Sequence, residues 1–516
     1  MESIWSKSCQ IEPRPRLRED LHCEIAVIGA GMAGLLCADA LRRDGHEVVV
    51  LEADRMASGQ TRNTTAKITS QHGLIYSRLR STLGTVGAAA YAAANEAAIR
   101  EYRRMVEQNG IDCDFEESCA YVYGKHLQVL RAEAAAAKSL GLPAEFLENL
   151  ETPLPAAGAV RFSGQAQFHP LKFLRAVSQP LTVYEQTRVQ AVDGTVLQTA
   201  QGTVRAEKVV FACHYPFLRL PGLYFTRLHQ ERSYVLALET AESVDGMWIG
   251  SGVEKLSLRH YKNLLLLGGG GHRTGENSAG GKYAMLREKA KELFPDAREV
   301  AHWSAQDCVT PDSVPLIGQY SSGRPDWYVA TGFGKWGMSS SMVAAQLLRR
   351  LIAGEQPPEA TVFDPGRFRA GVLAGLSKEG GHAVKNLART FFSIPKKTAD
   401  RLPPGHGGVV RLNGKKVGAY KAEDGTLAAV SVRCPHLGCQ LAWNPDEQSW
   451  DCPCHGSRFD CRGNLISGPG RYHNGVPDPM WKDTVQSSPA FPAAFGSQSP
   501  RRLPSAAQRL GAAGET

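Results

Sequence analysis

Residues Glu24–Arg43 read EIAVIGAGMAGLLCADALRR, and Glu47–Leu51 follow as EVVVL. The short apolar run Glu24–Ile28, a glycine turn, apolar residues at helical spacing from Ala33 to Arg43 and a second apolar run predict a β-α-β unit. Between strand and helix each glycine has a task. Gly29 permits the tight turn, Gly31 lets the backbone approach a pyrophosphate, and Gly34 lets the helix lie close to the strand. A phosphate would then sit at the helix N-terminus, where free N–H groups and the helix dipole favour anions. Glu52 ends the second strand. Its carboxylate suits the diol of a ribose and would repel a 2′-phosphate. The pattern therefore points to a dinucleotide, with Gly29, Gly31, Gly34 and Glu52 as its binding residues.

The chain around this unit has 516 residues, enough for two or three cores. It is 43% hydrophobic and 21% charged, a globular composition. The least polar run, Ile25–Leu41, holds three glycines and Asp39 and is too short and broken to cross a bilayer. Met1–Asp20 is polar and rich in Pro and Arg, unlike a secretory leader, and Arg42-Arg43 falls inside the predicted helix. The expectation is a cytoplasmic protein with no membrane span. The net charge of +8 is dispersed, which favours anionic ligands slightly and does not argue for nucleic acid.

Further elements follow from periodicity. Helices are predicted over Gly84–Gln108, Leu127–Leu140, Lys282–Leu293 and Gly337–Ile352, and strands over Tyr234–Glu239, Leu264–Leu267 and Asp326–Ala330. Leu181–Ala212 alternates like a β-meander, and Leu267–Arg273 (LGGGGHR) reads as another Gly-rich turn. Beyond Pro365 the pattern weakens into a polar, basic linker. From Gly407 short β-runs return.

Two features extend the dinucleotide reading. Ser58–Ala66 (SGQTRNTTA) is rich in hydroxyls and backbone donors. Later, Asp312–Gly318 (DSVPLIG) precedes a strand, after which Ala330–Ser339 (ATGFGKWGMS) opens a long helix. With these stretches the chain resembles the D-amino acid oxidase superfamily of flavoproteins over about Cys23–Glu355. The resemblance implies FAD, with Thr61 and Thr64 on the segment that follows the diphosphate towards the flavin. It also implies that Gly332, Gly334, Gly337 and Met338 form a second turn against the flavin ring, with the helix N-terminus at its pyrimidine edge. In such proteins the ring takes a hydride, and the protein orients substrate and excludes water. The candidates for catalysis are His272, Arg273 and Lys335, with Tyr234 and Trp336 also on the expected substrate face. Arg273 could clamp a carboxylate. Lys335 could serve as a base, hold a flavin-bound water or simply be solvated. His169 and His214 read as structural, and His72 lies near the presumed flavin segment.

The C-terminal region carries a different signal. Of twelve cysteines, five crowd into Cys434–Cys461, in Cys434-Pro435-His436-Leu437-Gly438-Cys439 and Cys452-Pro453-Cys454-His455-Gly456-Ser457. Two loops, each offering a Cys and a His, match a Rieske iron–sulfur site, where two thiolates hold one iron and two imidazoles the other. The metal ligands are then Cys434, His436, Cys452 and His455, holding a 2Fe-2S cluster. Zinc takes the same donors, but the paired loops with their Gly-Cys and Gly-Ser flanks are more specific. A ring-hydroxylating oxygenase needs a further iron triad, and no second His–His pair is legible. Resemblance to the cytochrome bc-type Rieske proteins implies a disulfide between Cys439 and Cys454 and a hydroxyl of Ser457 donated to a bridging sulfide. Phe459 stands where those proteins often have Tyr, so one hydrogen bond to sulfur is absent and a lower potential is expected. Gly468-Pro469 fits the loop that covers the cluster. The following residues are Pro-, Ser- and Ala-rich, without strand alternation, and read as disorder where closing strands are expected.

The expected fold is α/β: a Rossmann-like FAD-binding domain with an inserted α+β substrate domain, followed by a small all-β Rieske domain. The expected boundaries are 1–365 for the flavin part, 366–403 for a linker, 404–470 for the Rieske part and 471–516 for a disordered or atypical tail. The expected function is a flavin-dependent oxidoreductase. A small substrate, an amine or amino acid, gives a hydride to FAD, and electrons leave singly through the cluster to an external acceptor. The alternatives are an electron-transfer reductase fed by an external donor and a non-enzymatic redox sensor.

Overall fold

The computed structural model describes residues 2–148, 150, 152–252, 255–367, 398–412 and 414–470. Most of the linker read at 366–403 and all of the tail read at 471–516 lie outside them. Strand Leu21–Ile28, helix Met32–Arg43 and strand Val48–Leu51 form the β-α-β unit. Their sheet runs Leu316–Ser321, Arg324–Thr331, Thr203–Phe211, Leu21–Ile28, Val48–Leu51, Thr182–Tyr184. Its inner pairs are parallel, and helices Met32–Arg43 and Gly337–Ile352 lie against it. The C-terminal ends of its central strands are apolar and buried, because there the sheet is covered on its faces.

Within residues 181–212, Ala191–Asp193, Val196–Gln198 and the start of Thr203–Phe211 pair antiparallel in succession, so the expected meander is present, and it ends on the buried part of Thr203–Phe211. Thr182–Tyr184 stands apart from it, as a parallel strand beside Val48–Leu51, and Thr203–Phe211 runs on in parallel with Leu21–Ile28. Leu267–Arg273, in contrast, is not a turn. Strand Leu264–Arg273 continues through all four glycines, paired on one side with His229–Glu239 and on the other with Ser257–Tyr261. Glycines here keep the strand thin where neighbours crowd it: a Cβ on Gly269 would meet Leu286 at 3.1 Å.

The second sheet has nine strands, running Arg298–Val309, His229–Glu239, Leu264–Arg273, Ser257–Tyr261, Met247–Gly250, Glu116–Gly124, Gly158–Gln167, Lys67–Ile68, with Ala144–Glu148 beside Gly158–Gln167. The chain enters it twice, between visits to the parallel sheet, as an inserted domain requires. Helix Tyr76–Gln108 bends at Gly84, whose φ of 68° is not helical. Helices Lys282–Leu293 and Gly337–Ile352 occupy the predicted residues.

The C-terminal part is all β. One sheet holds His406–Leu412, Lys415–Lys421 and Leu427–Val430, the other Ala442–Asn444, Ser449–Asp451, Arg458–Phe459 and Leu465–Ser467. Trp443 and Trp450, edge to face at 5.0 Å, fill the core with Cys434, Cys439, Cys452, Cys454 and Phe459. Among the described residues no helix is long and apolar enough to cross a membrane.

Candidate functional site

At the N-terminal glycine turn, a Cβ on Gly34 would lie 1.8 Å from the Gly29 carbonyl oxygen, so the helix can approach the strand this closely only without a side chain there. Glu52 braces the turn. Its carboxylate accepts from the Ala30 N–H at 2.8 Å and the Asp54 N–H at 2.9 Å. Burial raises its pKa, and those two N–H groups oppose the rise. The Thr61 hydroxyl accepts from the Met32 N–H at 3.0 Å, at the first residue of the helix. This brings the segment after Glu52 onto the helix N-terminus, where a diphosphate would lie. Thr64 is held through its carbonyl by the Trp5 indole at 2.7 Å, and its hydroxyl accepts from the Ala66 N–H. The residues present therefore fit FAD at this end.

The second glycine turn lies beside the first strand group. Gly332 has a φ of 71°, and the Gly334 N–H donates to the Cys308 carbonyl at 2.8 Å. Gly337 opens the long helix, and the Met338 carbonyl accepts from the Tyr102 hydroxyl at 2.9 Å. His72 packs here. Its ring stacks on Trp336 with centroids 4.8 Å apart, its Nδ1 accepts from the Tyr91 hydroxyl at 2.6 Å, and its Nε2 donates to the Thr69 carbonyl at 2.9 Å. Burial lowers its pKa to about 3. Both ring nitrogens are committed to internal partners. His169 caps helix Pro170–Val177: its Nδ1 accepts from the Lys172 N–H, so Nε2 carries the proton and faces Ser8 at 3.0 Å.

The two C-terminal loops bring their four donors together. The Cys434 and Cys452 thiols are hydrogen-bonded to one another, and this bond holds the Cys434 pKa below its ordinary value. The His436 and His455 Nδ1 atoms converge at 3.2 Å. All four residues are buried. Burial lowers the His455 pKa to about 4, so the ring is neutral, as a ligand must be. A disulfide joins Cys439 to Cys454 across the two loops. The Cys439, Cys452 and Cys454 sulfurs lie within 4.8 Å of one another, but the two bridged sulfurs are spent as thiolate donors. Ser457 accepts from the Gly470 N–H at 2.8 Å and hydrogen-bonds Cys434. Two thiols beside two buried imidazoles fit a Rieske cluster.

No motif in the chain signals what covers these imidazoles. His436 and His455 are only 6% and 4% exposed because the flavin part of the chain lies over them. Phe225 meets both rings edge-on, at 6.3 and 5.9 Å, and the Tyr215 ring stands 6.4 Å from His455. The His455 ring hydrogen-bonds the Phe225 carbonyl. Arg219 donates to the His436 carbonyl, Gln230 to the His455 carbonyl at 3.2 Å, and Gln306 to the Gly456 carbonyl at 2.9 Å. A hydrogen-bonded chain also reaches back to the second glycine turn. Thr331 donates to the His214 carbonyl at 2.6 Å, the His214 ring meets Gln230 at 3.3 Å, and Gln230 meets His455.

Farther out, Arg232 pairs with Glu447 at 2.7 Å, and Glu447 also accepts from Ser304 at 2.7 Å, Tyr283 at 3.0 Å and Arg458 at 3.1 Å. Asp446 accepts from the Gly281 and Lys282 N–H groups at 3.1 and 3.0 Å, capping the helix of the other module. Gly275 permits the closest approach: a Cβ there would lie 2.6 Å from the Pro453 nitrogen.

The three catalytic candidates lie at the edge of this contact. The His272 ring meets the Tyr234 hydroxyl at 3.0 Å and the Arg273 carbonyl at 2.7 Å. Arg273 donates to the Pro453 carbonyl at 3.3 Å, so its guanidinium faces the cluster loop. Lys335 donates to Ser233 at 2.7 Å and pairs with Glu231 at 3.4 Å, near Asp307, whose pKa burial raises to about 6. Sequence reasoning missed Gln230, Arg232, Ser304 and Gln306. Their signal was faint: polar residues at alternate positions, 230/232 and 304/306, on two paired strands, with other polar residues between them.

The FAD dependent oxidoreductase family model matches residues 24–351, and the Rieske [2Fe-2S] domain model matches residues 394–478. The putative Rieske 2Fe-2S iron-sulfur protein YhfW of Bacillus subtilis (strain 168) is 34% identical over 489 residues, covering 91% of this chain and 96% of its own. The cytochrome b6-f complex iron-sulfur subunit 2 of Trichormus variabilis is 51% identical over 115 residues, 21% of this chain and 62% of its own. Among solved structures, glycine oxidase from Geobacillus kaustophilus superposes with a TM-score of 0.58 at 20% identity, covering 67% of this chain and 99% of its own. That likeness is one of fold.

Proposed function

The chain belongs to the FAD-dependent oxidoreductase family and carries a Rieske [2Fe-2S] domain, and from this premise we propose that it oxidises an amine or amino acid and delivers the electrons singly to an external acceptor. When bound, FAD supplies a hydride acceptor and the 2Fe-2S cluster a one-electron carrier. In this reading Gly29, Gly31, Gly34, Glu52, Thr61 and Thr64 hold the dinucleotide, and Gly332, Gly334, Gly337 and Met338 border the flavin ring. Cys434, His436, Cys452 and His455 hold the iron, and the Cys439–Cys454 disulfide braces their loops. Lys335 is the candidate to hold or move a proton. His272 and Arg273 are candidates to orient substrate, Arg273 while engaged with Pro453. The setting proposed is the cytoplasm.

The observation that carries the reading is the burial of both cluster imidazoles under Tyr215, Phe225 and Gln230, residues contiguous with the flavin turn. An imidazole edge closed to solvent by the flavin module suits exchange of electrons with that module. The test is anaerobic mixing of the holoprotein with a panel of amines and amino acids. The expected result is bleaching of the flavin absorbance followed by the EPR signal of a reduced Rieske centre. Bleaching by none of the panel would overturn the dehydrogenase reading, and bleaching by NAD(P)H alone would make the protein a reductase fed from outside.

A further inference from the structure

Tyr215 follows a strained turn. His214 has a φ of 65°, in the left-handed region that residues other than glycine seldom adopt. The Thr331 hydroxyl clamps the His214 carbonyl, and the Tyr215 N–H closes a tight turn onto the Cys213 carbonyl at 2.7 Å. The Tyr215 ring belongs to the buried apolar cluster of its own module, with Phe211, Tyr224, Leu228 and Cys308, and it also reaches the C-terminal module, edge-on to His455 at 6.4 Å. Its hydroxyl is buried with no hydrogen-bond partner among the described residues. A buried phenol hydroxyl lacking an acceptor is costly unless something absent from the polypeptide accepts from it. Around it stand Cys308, Tyr320 and Arg273 of its own module and Cys452, a proposed cluster ligand.

We propose that Tyr215 donates a hydrogen bond from the flavin module to the sulfur of the 2Fe-2S centre and so sets the cluster's potential in trans. The proposal rests on the assignment of Cys434, His436, Cys452 and His455 as the cluster ligands. A hydrogen bond to cluster sulfur stabilises the more negative, reduced state and raises the potential. Phe459 withholds such a hydroxyl from within the Rieske module, and Tyr215 offers one from outside it. The donation exists only while the two modules are docked, so docking and potential are linked. Reduction of the cluster then tightens docking by the same factor by which docking favours reduction.

The test is an EPR-monitored redox titration of the full-length holoprotein and its Tyr215→Phe variant. The variant should bind FAD and iron in wild-type amounts and titrate at a lower midpoint, with shifted g-values. In parallel, the Ser457→Ala/Tyr215→Phe protein should lack one exchangeable proton coupling that Ser457→Ala keeps, seen by ENDOR in H2O and absent in D2O. A Tyr215→Phe midpoint equal to wild type, or a crystal structure of the wild-type holoprotein with the Tyr215 hydroxyl out of hydrogen-bond reach of every cluster sulfur, would overturn the proposal, and the second result stands even if Tyr215→Phe does not fold. A wild-type protein with no Rieske signal at all would overturn the ligand assignment itself.

Discussion

Glu447 of the C-terminal module lies 2.7 Å from Arg232 of the flavin module, and both side chains are buried. The carboxylate also accepts from Ser304 and Tyr283 of the same sheet and helix, and from Arg458 within its own module. The contact between modules is therefore built on a fully partnered charge, with little freedom to slide. Glu447→Leu strands the buried Arg232 charge in a dry site and should lower stability by about 3–5 kcal/mol in chemical denaturation. Arg232→Met should cost less, because Arg458 still pairs with Glu447. The double variant should recover most of the loss, since an apolar pair leaves no buried charge unpaired.

The disulfide between Cys439 and Cys454 closes a loop with a sequence separation of 15. A cross-link of that span contributes about 3 kcal/mol. The Cys439→Ser/Cys454→Ser protein should lose its cluster absorbance at a lower temperature than wild type, while the temperature of FAD release, followed by flavin fluorescence, stays near the wild-type value.

Two buried histidines make stability depend on pH. Burial holds His72 at about 3 and His169 at about 4, below the unfolded value of about 6.5. Between these values the unfolded chain binds protons that the folded chain refuses. Their contribution is fully present above about pH 6.5 and is lost as pH falls towards 4, at about 1.4 kcal/mol per pH unit for each ring. Urea denaturation at pH 7, 6 and 5 should show that slope, and His169→Asn should reduce it by one ring's share.

Glu52 holds the glycine turn through the Ala30 and Asp54 N–H groups. Glu52→Ala removes both bonds and the acceptor proposed for the ribose. At about 1.4 kcal/mol per tenfold, loss of even one net hydrogen bond to a charged group weakens FAD binding about tenfold or more. Equilibrium dialysis or recovery of flavin fluorescence on dilution measures it, and the cluster's EPR signal should be unaffected.

The glycine spacing of Gly29, Gly31 and Gly34 was legible in sequence because it answers a local demand: a Cβ at Gly34 has no room. Leu264–Arg273 was not, because a run of four glycines signals a turn until two flanking strands pair with it. Residues 181–212 were legible in part: the local antiparallel pairs of the meander form between near neighbours. Alternation does not name a distant partner, however, and Thr203–Phe211 also pairs in parallel with Leu21–Ile28, far away in sequence.

By itself the sequence determined the chemistry: two glycine turns for one dinucleotide, and two Cys–His loops for one cluster, each set by spacing within a few residues. Only the tertiary structure decided how the two meet. It placed Tyr215, Phe225 and Gln230 over His436 and His455, and turned Arg273 towards Pro453. Those contacts join residues as far apart as 180 and 225 positions, from loops, a short helix and strands whose arrangement no local pattern encodes. That is why the ligands could be read in the chain and the surface that covers them could not.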